Sequence, residues 1–141
     1  MTSVRERILR EIVARLIPAV APVPVLRQTA LPVTREAGPA LLLFVDGDAI
    51  TAHANHLADR TLSVRLVAVT RGSDAFDVAD NVIVAAHSAL LAEPNLGGLA
   101  IGVREVDCEW DIDDADAGAV ALPARYAIRY RTRATDLTRT G

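Results

Sequence analysis

The residues able to do chemistry fall in a few places along this chain, and most carry a plainer reading beside the chemical one. His53-Ala54-Asn55-His56 sets two imidazoles at a spacing that could begin a metal site. A structural zinc site wants four close nitrogen or sulfur ligands. Here the others would come from afar, from His87 or an acid. The plainer reading is a polar strand or loop carrying two exposed histidines. Asp111-Ile112-Asp113-Asp114-Ala115-Asp116 has the acid density of a calcium loop. A loop of the EF-hand type needs Gly at its sixth position and Glu at its twelfth. Counted from Asp111 these are Asp116 and Leu122, so the segment reads as a solvated hairpin bend. Leu96-Gly97-Gly98 has the glycines of a phosphate loop in the wrong order. A helix runs into them and a strand follows, whereas phosphate loops run strand, glycines, helix. Cys108, the sole cysteine, lies mid-strand among apolar residues and reads as a buried, unreactive thiol that can form no internal disulfide. No serine stands in a nucleophile-elbow context.

One pattern survives this sifting. Residues 99–112 and 120–134 both read as long strands. The first places Glu105, Asp107, Glu109, Asp111 and Asp113 on one side, and the second places Arg125, Arg129, Arg131 and Arg133 on one side. Paired as a hairpin, they give a charge-coded face, with Asp107 opposite Arg129 and Asp111 opposite Arg125. Carboxylates in such a row are charge-paired rather than poised near neutral pKa for acid–base work. The row is either a self-neutralised solvent face or an assembly surface. In the second case Glu105, Asp107, Glu109, Arg125, Arg129 and Arg131 are the candidate subunit-interface residues. Arginine–carboxylate pairs at an interface fix register more than affinity.

Composition narrows the class. A length of 141 residues is most simply one domain, 1–141. A hydrophobic content of 51% with 4% aromatics implies a core of Val, Leu, Ile and Ala. The net charge of −3 gives no general attraction to nucleic acid or anionic membrane. All 15 basic residues are arginine, so every cation can make bidentate pairs with carboxylates. The charged, amphipathic start and the lack of an apolar run near twenty residues read as a soluble, cytoplasmic product.

The elements that must position the row follow from periodicity. Residues 3–17 read as a helix with Val4, Ile8, Leu9, Ile12, Val13 and Leu16 in one stripe, Ser3 as N-cap and Pro18 as its stop. Residues 23–27 suit a short edge strand because proline cannot donate to a ladder. The remainder up to Gly38-Pro39 reads as a surface loop. Residues 40–45 form an apolar strand, Asp46-Gly47-Asp48 a tight turn, and 49–58 a returning strand. Residues 61–71 alternate cleanly, with Leu62, Val64, Leu66 and Ala68 inward. Residues 74–91 form a second helix, capped by Ser73 or Asp74 and halted by Pro94. The tail from Thr135 reads as frayed. Helix, strands, helix and two long strands make an α+β fold: a mostly antiparallel or mixed sheet, two main helices on one face, and a long C-terminal β-hairpin.

This order resembles the tail terminator proteins of long-tailed bacteriophages, the lambda-type minor tail proteins that close the tail tube. The matching pieces are Arg5-Glu6-Arg7-Ile8-Leu9, Leu41-Leu42-Leu43-Phe44, Leu62-Ser63-Val64-Arg65-Leu66, Leu90-Leu91-Ala92-Glu93-Pro94-Asn95-Leu96-Gly97-Gly98, the Trp110 strand and Tyr126-Ala127-Ile128-Arg129-Tyr130-Arg131-Thr132. The set covers nearly the whole chain. The resemblance implies a structural, non-enzymatic subunit without cofactor that forms a ring, usually a hexamer. The ring would cap the tail tube protein, stop polymerisation, and offer a surface to the head-completion protein, in the virion tail after assembly in the host cytoplasm. Alternatives are another tail, baseplate or head–tail joining component, or a small α/β enzyme using His53, His56 and an acid. A nucleic-acid module is disfavoured by the acidic balance.

Overall fold

The computed structural model describes residues 1–27, 38–108 and 119–141. Helix α1, Val4–Val20, opens with Ser3 in an extended conformation, its Oγ accepting the Glu6 amide at 3.1 Å. The expected stripe is buried at Val4, Ile8, Leu9, Ile12 and Leu16, with Val13 half-buried beside it. Glu6–Arg10 and Glu11–Arg15 pair one turn apart. Pro18 does not stop the helix, which continues to Val20. The bond Pro18 cannot make would go to the Ala14 carbonyl. Both residues are exposed, so water can serve that carbonyl instead.

Strand β1, Val25–Arg27, is an edge strand, parallel to β2, Ala40–Ala54. The expected turn at Asp46-Gly47-Asp48 is absent. β2 runs straight on, taking the extra residue as a bulge between Val45 and Gly47 and showing a second irregularity between Ile50 and Ala52. The chain reverses at Asn55-His56, where φ is 52° and 67°. Two successive positive φ values are the signature of a type I′ hairpin turn, whose twist matches the strands it joins. The expected returning strand over 49–58 is therefore the far end of β2, the turn, and the start of β3, Leu57–Arg71.

Helix α2, Ala75–Leu91, buries Ala75, Ala79, Val82, Ala86 and Leu90. Asp74 occupies its N-cap position but makes no side-chain cap bond. After α2 the chain tightens into a turn at Leu96–Gly98, with φ of 50°, 69° and 91°. Two glycines take this left-handed path without strain, and Leu96 is fully buried. Then come β4, Gly102–Asp107, β5, Ala119–Arg133, and β6, Asp136–Thr140. The tail is thus a strand rather than frayed. Asp136 Oδ1 accepts both the amide (2.9 Å) and the hydroxyl (2.6 Å) of Thr138, which sets the turn from β5. Arg7 of α1 donates to the Thr138 carbonyl.

The sheet order is β1-β2-β3-β5-β4, with β6 also on β5, and every pair except β1–β2 is antiparallel. Both helices lie on one face. Leu62, Val64, Leu66 and Ala68 of β3 and Leu122, Ala124, Tyr126, Ile128 and Tyr130 of β5 meet them in the main core. This is the α+β layout read from the sequence.

Leu66 is fully buried at the centre of this core, so Leu66→Ala should lower the unfolding free energy by about 2–5 kcal/mol. His56→Gly should raise it by about 0.5–1 kcal/mol, because glycine adopts the turn's left-handed backbone without strain. Urea denaturation of the two variants measures both.

Candidate assembly surface

The face of the sheet away from the helices carries the charges, in rows that cross the strands. One row reads Asp46 of β2, Arg65 of β3, Arg125 of β5 and Asp107 of β4. Arg65 and Arg125 are direct cross-strand partners. Two cations opposite one another repel, and each is held by an acid from the strand outside it. Asp107 accepts from Arg125 in bidentate fashion, with Nε to Oδ1 at 2.6 Å. Asp46 lies 3.4 Å from Arg65, whose guanidinium also stacks 4.6 Å from the Phe44 ring centre. A second pair joins Asp59 of β3 to Arg131 of β5, with Nε to Oδ1 at 2.5 Å. Between the rows, Gly47, Ala49 and Ser63 floor a hollow of about 370 Å³, walled by Asp46, Val106 and Arg125.

The register differs from the sequence expectation. Asp107 lies opposite Arg125, while Arg129 lies opposite Gly102. The whole ladder is displaced by several residues from the expected one, and a bulge between Glu105 and Asp107 shifts it by one more. An extra residue reverses which face the next side chain takes. Glu105 therefore turns to the helix side, where its Oε2 is 3.1 Å from His87 Nδ1. That nitrogen is also 2.9 Å from the Tyr126 hydroxyl. Arg131 finds its carboxylate on β3 instead of β4. Arg129 is exposed and makes no ion pair among the described residues, and the same holds for Arg104. Glu109, Asp111, Asp113, Trp110 and Ile112 lie outside the described residues, as do the bend over 113–118 and most of the loop before Gly38.

The sequence reading overlooked Asp46, Asp59 and Arg104. Asp59 could have been found, because Asp59, Thr61, Ser63 and Arg65 are the polar half of the alternation whose apolar half is Leu62, Val64 and Leu66.

The other chemistry-bearing residues are dispersed. His53 is in β2 and His56 in the hairpin turn, both exposed. No three His, Cys, Asp or Glu come together as a metal site among the described residues. Cys108 is exposed rather than buried, because it lies just past the end of β4 instead of in the middle of a paired strand. Partial desolvation and the carboxylates of Glu105, Asp107 and Asp80 still hold its thiol above the ordinary pKa, which keeps the thiolate scarce. Tyr130 donates to Asp48, which also takes Arg5 Nη1 at 3.1 Å. Burial and Asp48 raise the Tyr130 phenol far above its usual value, so it stays a donor.

The arrangement defines an α+β protein with one sheet under two helices and a charged open face. No family model and no curated protein matches the chain. Among solved structures it is similar to a chain in the virion of a native gene transfer agent particle. The TM-score is 0.58 at 14% identity, covering 86% of this chain and 90% of that one. The two share a fold over nearly their whole lengths. No helix among the described residues is long and apolar enough to cross a membrane.

The two bidentate pairs predict an acid dependence. The Arg131 hydrogen bond lowers the Asp59 pKa, and the Arg125 hydrogen bond lowers that of Asp107. A carboxylate with a depressed folded pKa adds stability above its unfolded value, near about 4, and loses it as pH falls through the folded value. The urea midpoint should fall as pH drops below about 4. An Asp59→Asn, Asp107→Asn double variant should show a shallower fall over that range.

Proposed function

We propose that this chain is a structural subunit of a phage or phage-like particle: a tail terminator, one domain over 1–141, that closes into a ring. The ring caps the tail tube, stops its growth and presents a surface to a head-completion protein. The observation that carries the reading is the shared fold, end to end, with a chain of a gene transfer agent virion. The site chemistry agrees with it. The charged groups are spread across an open sheet face, which suits docking. Arg129 and Arg104, exposed and without an ion pair among the described residues, are cations able to reach a neighbour.

The mechanism is geometric. A cyclic oligomer with closed, heterologous contacts presents one face to a tube of matching symmetry. Weak association between free subunits suffices, because a tube end raises their effective concentration. No cofactor or turnover is required, and the subunit acts in the virion tail after assembly in the host cytoplasm. The hexamer is the ring this reading favours. Glu105, Asp107, Glu109, Arg125, Arg129 and Arg131 remain its proposed interface, with Arg129 foremost because Arg125 and Arg131 already hold carboxylates of their own chain.

Native mass spectrometry across a concentration series should show monomer passing to one closed oligomer with no metal retained. Arg129→Glu should shift that transition to higher concentration and leave the monomer's thermal unfolding unchanged. Assembly indifferent to Arg129→Glu would remove the arginine from the interface. A loss of biological function on His53→Ala or His56→Ala without loss of folding would favour an enzyme.

A further inference from the structure

The described edge stretches of β2 and β4 stand at the same height on opposite sides of the sheet, and their strands run in opposite senses. Following the pairings across the sheet, Ala49 of β2 lies in one row with Thr61, Arg129 and Gly102. Gly47 lies in one row with Ser63, Ala127 and Arg104. Val45 lies in one row with Val64, Tyr126 and Glu105. The stretch of β4 on one edge therefore stands level with the stretch of β2 beyond the β1 pairing on the other. β1 covers β2 only at Leu41 to Leu43. On the opposite edge the described ladder of β4 ends at Asp107, short of that height.

The exposed residues agree. Val45 and Ile50 on β2 are 45% and 48% exposed, and Ile101 and Val106 beside and on β4 are 50% and 48% exposed. β-Branched aliphatic residues on an unpaired edge invite another strand, and soluble chains normally blunt such edges with charge or proline. Here each edge has a short straight run: Gly47 to Ile50 lies between two irregularities, and Gly102 to Glu105 ends at one. Arg104 has no ion pair among the described residues, and Asp46 is only loosely held by Arg65. A neighbour's Arg104 brought to the height of Gly47 would meet Asp46 beside it. A Cβ at Gly47 or Gly102 would touch nothing within 4 Å, so both positions leave room for an approaching strand.

We propose that the ring closes by strand pairing: β4 of one copy adds to the free stretch of β2 of the next, antiparallel. The proposal rests on the ring reading above and names its contact. The sense follows from the topology. β2 runs with β5 and against β4, and rotation about an axis along the strands preserves each strand's direction. Edges at equal height need rotation without rise, which closes a ring rather than extending a filament. Main-chain bonds supply the association, and Arg104 with Asp46 sets the register.

Cysteine pairs test it in a Cys108→Ser background. Gly47→Cys is combined with Arg104→Cys. A second pair, Ala49→Cys with Gly102→Cys, leaves Arg104 in place. Directly paired antiparallel residues have Cα atoms about 4.5–5.5 Å apart, within disulfide reach. After mild oxidation, non-reducing electrophoresis should show a ladder ending at the oligomer seen by native mass spectrometry. Each single-cysteine variant should lose the ladder. A closed oligomer without crosslinks from either pair would overturn the strand contact and leave the ring standing. Crosslinking by single-cysteine variants would replace the heterologous contact with a two-fold one and overturn the proposal. A monomer at every concentration would overturn self-pairing and the free ring together, and would assign the edge to a strand of a different virion protein.

Discussion

Everything in this fold hangs on the antiparallel pairing of β3 with β5, an unbroken ladder from Leu57↔Arg133 to Arg71↔Ala119. A strand's side chains alternate between faces, so one fixed register decides both surfaces at once. The even-numbered residues of β5, from Val120 to Thr132, turn to the helices and are buried. The odd-numbered Arg125, Arg129, Arg131 and Arg133 turn away. A slip by one residue would send the arginines into the helix layer and the tyrosines into water. The apolar core and the charged face are two consequences of one pairing.

The flanking strands depart from strict alternation, and the departures place the charged groups. The bulge at Asp46 lets β2 carry Asp48 back to the helix side, where it joins Tyr130 and Arg5 and ties α1 to the sheet. The bulge between Glu105 and Asp107 splits two acids that simple alternation would put together. Asp107 goes to Arg125 on the open face, and Glu105 goes to His87 on α2. Bulges concentrate where a strand must re-aim a side chain. Their outcome here is a charged face on which Arg125, Arg131 and Arg65 are paired, while Arg129 and Arg104 make no ion pair among the described residues.

Much of this was legible in the residues. The stripe of α1, the alternation of β3, the buried face of α2 and the apolar side of β5 follow from periodicity, because burial rewards a regular period over many residues. The misplaced features depend on single residues. Asp46-Gly47-Asp48 has turn composition, yet both neighbouring segments pair better as one continuous strand. Asn55-His56 makes the real turn, and only Asn announces it. Pro18 is tolerated because the carbonyl it abandons faces water. The strand over 136–140 is held by an Asp136–Thr138 contact and by Arg7 from the far end of the chain, which no local window contains. The charge row was visible as composition, but its partners were not, since they depend on the register of β4 against β5 and on a bulge within it.

If this chain closes a ring upon a tube end, as proposed, it must stop the tube from growing. The most direct measurement is the length distribution of tail tubes, read by electron microscopy, when the purified chain is added to its polymerising cognate tube subunit. A capping ring should arrest growth, with lengths falling as the ratio of this chain to tube subunit rises and a ring of added density at one tube end. Tubes that keep growing at every ratio, with both ends bare, would contradict it.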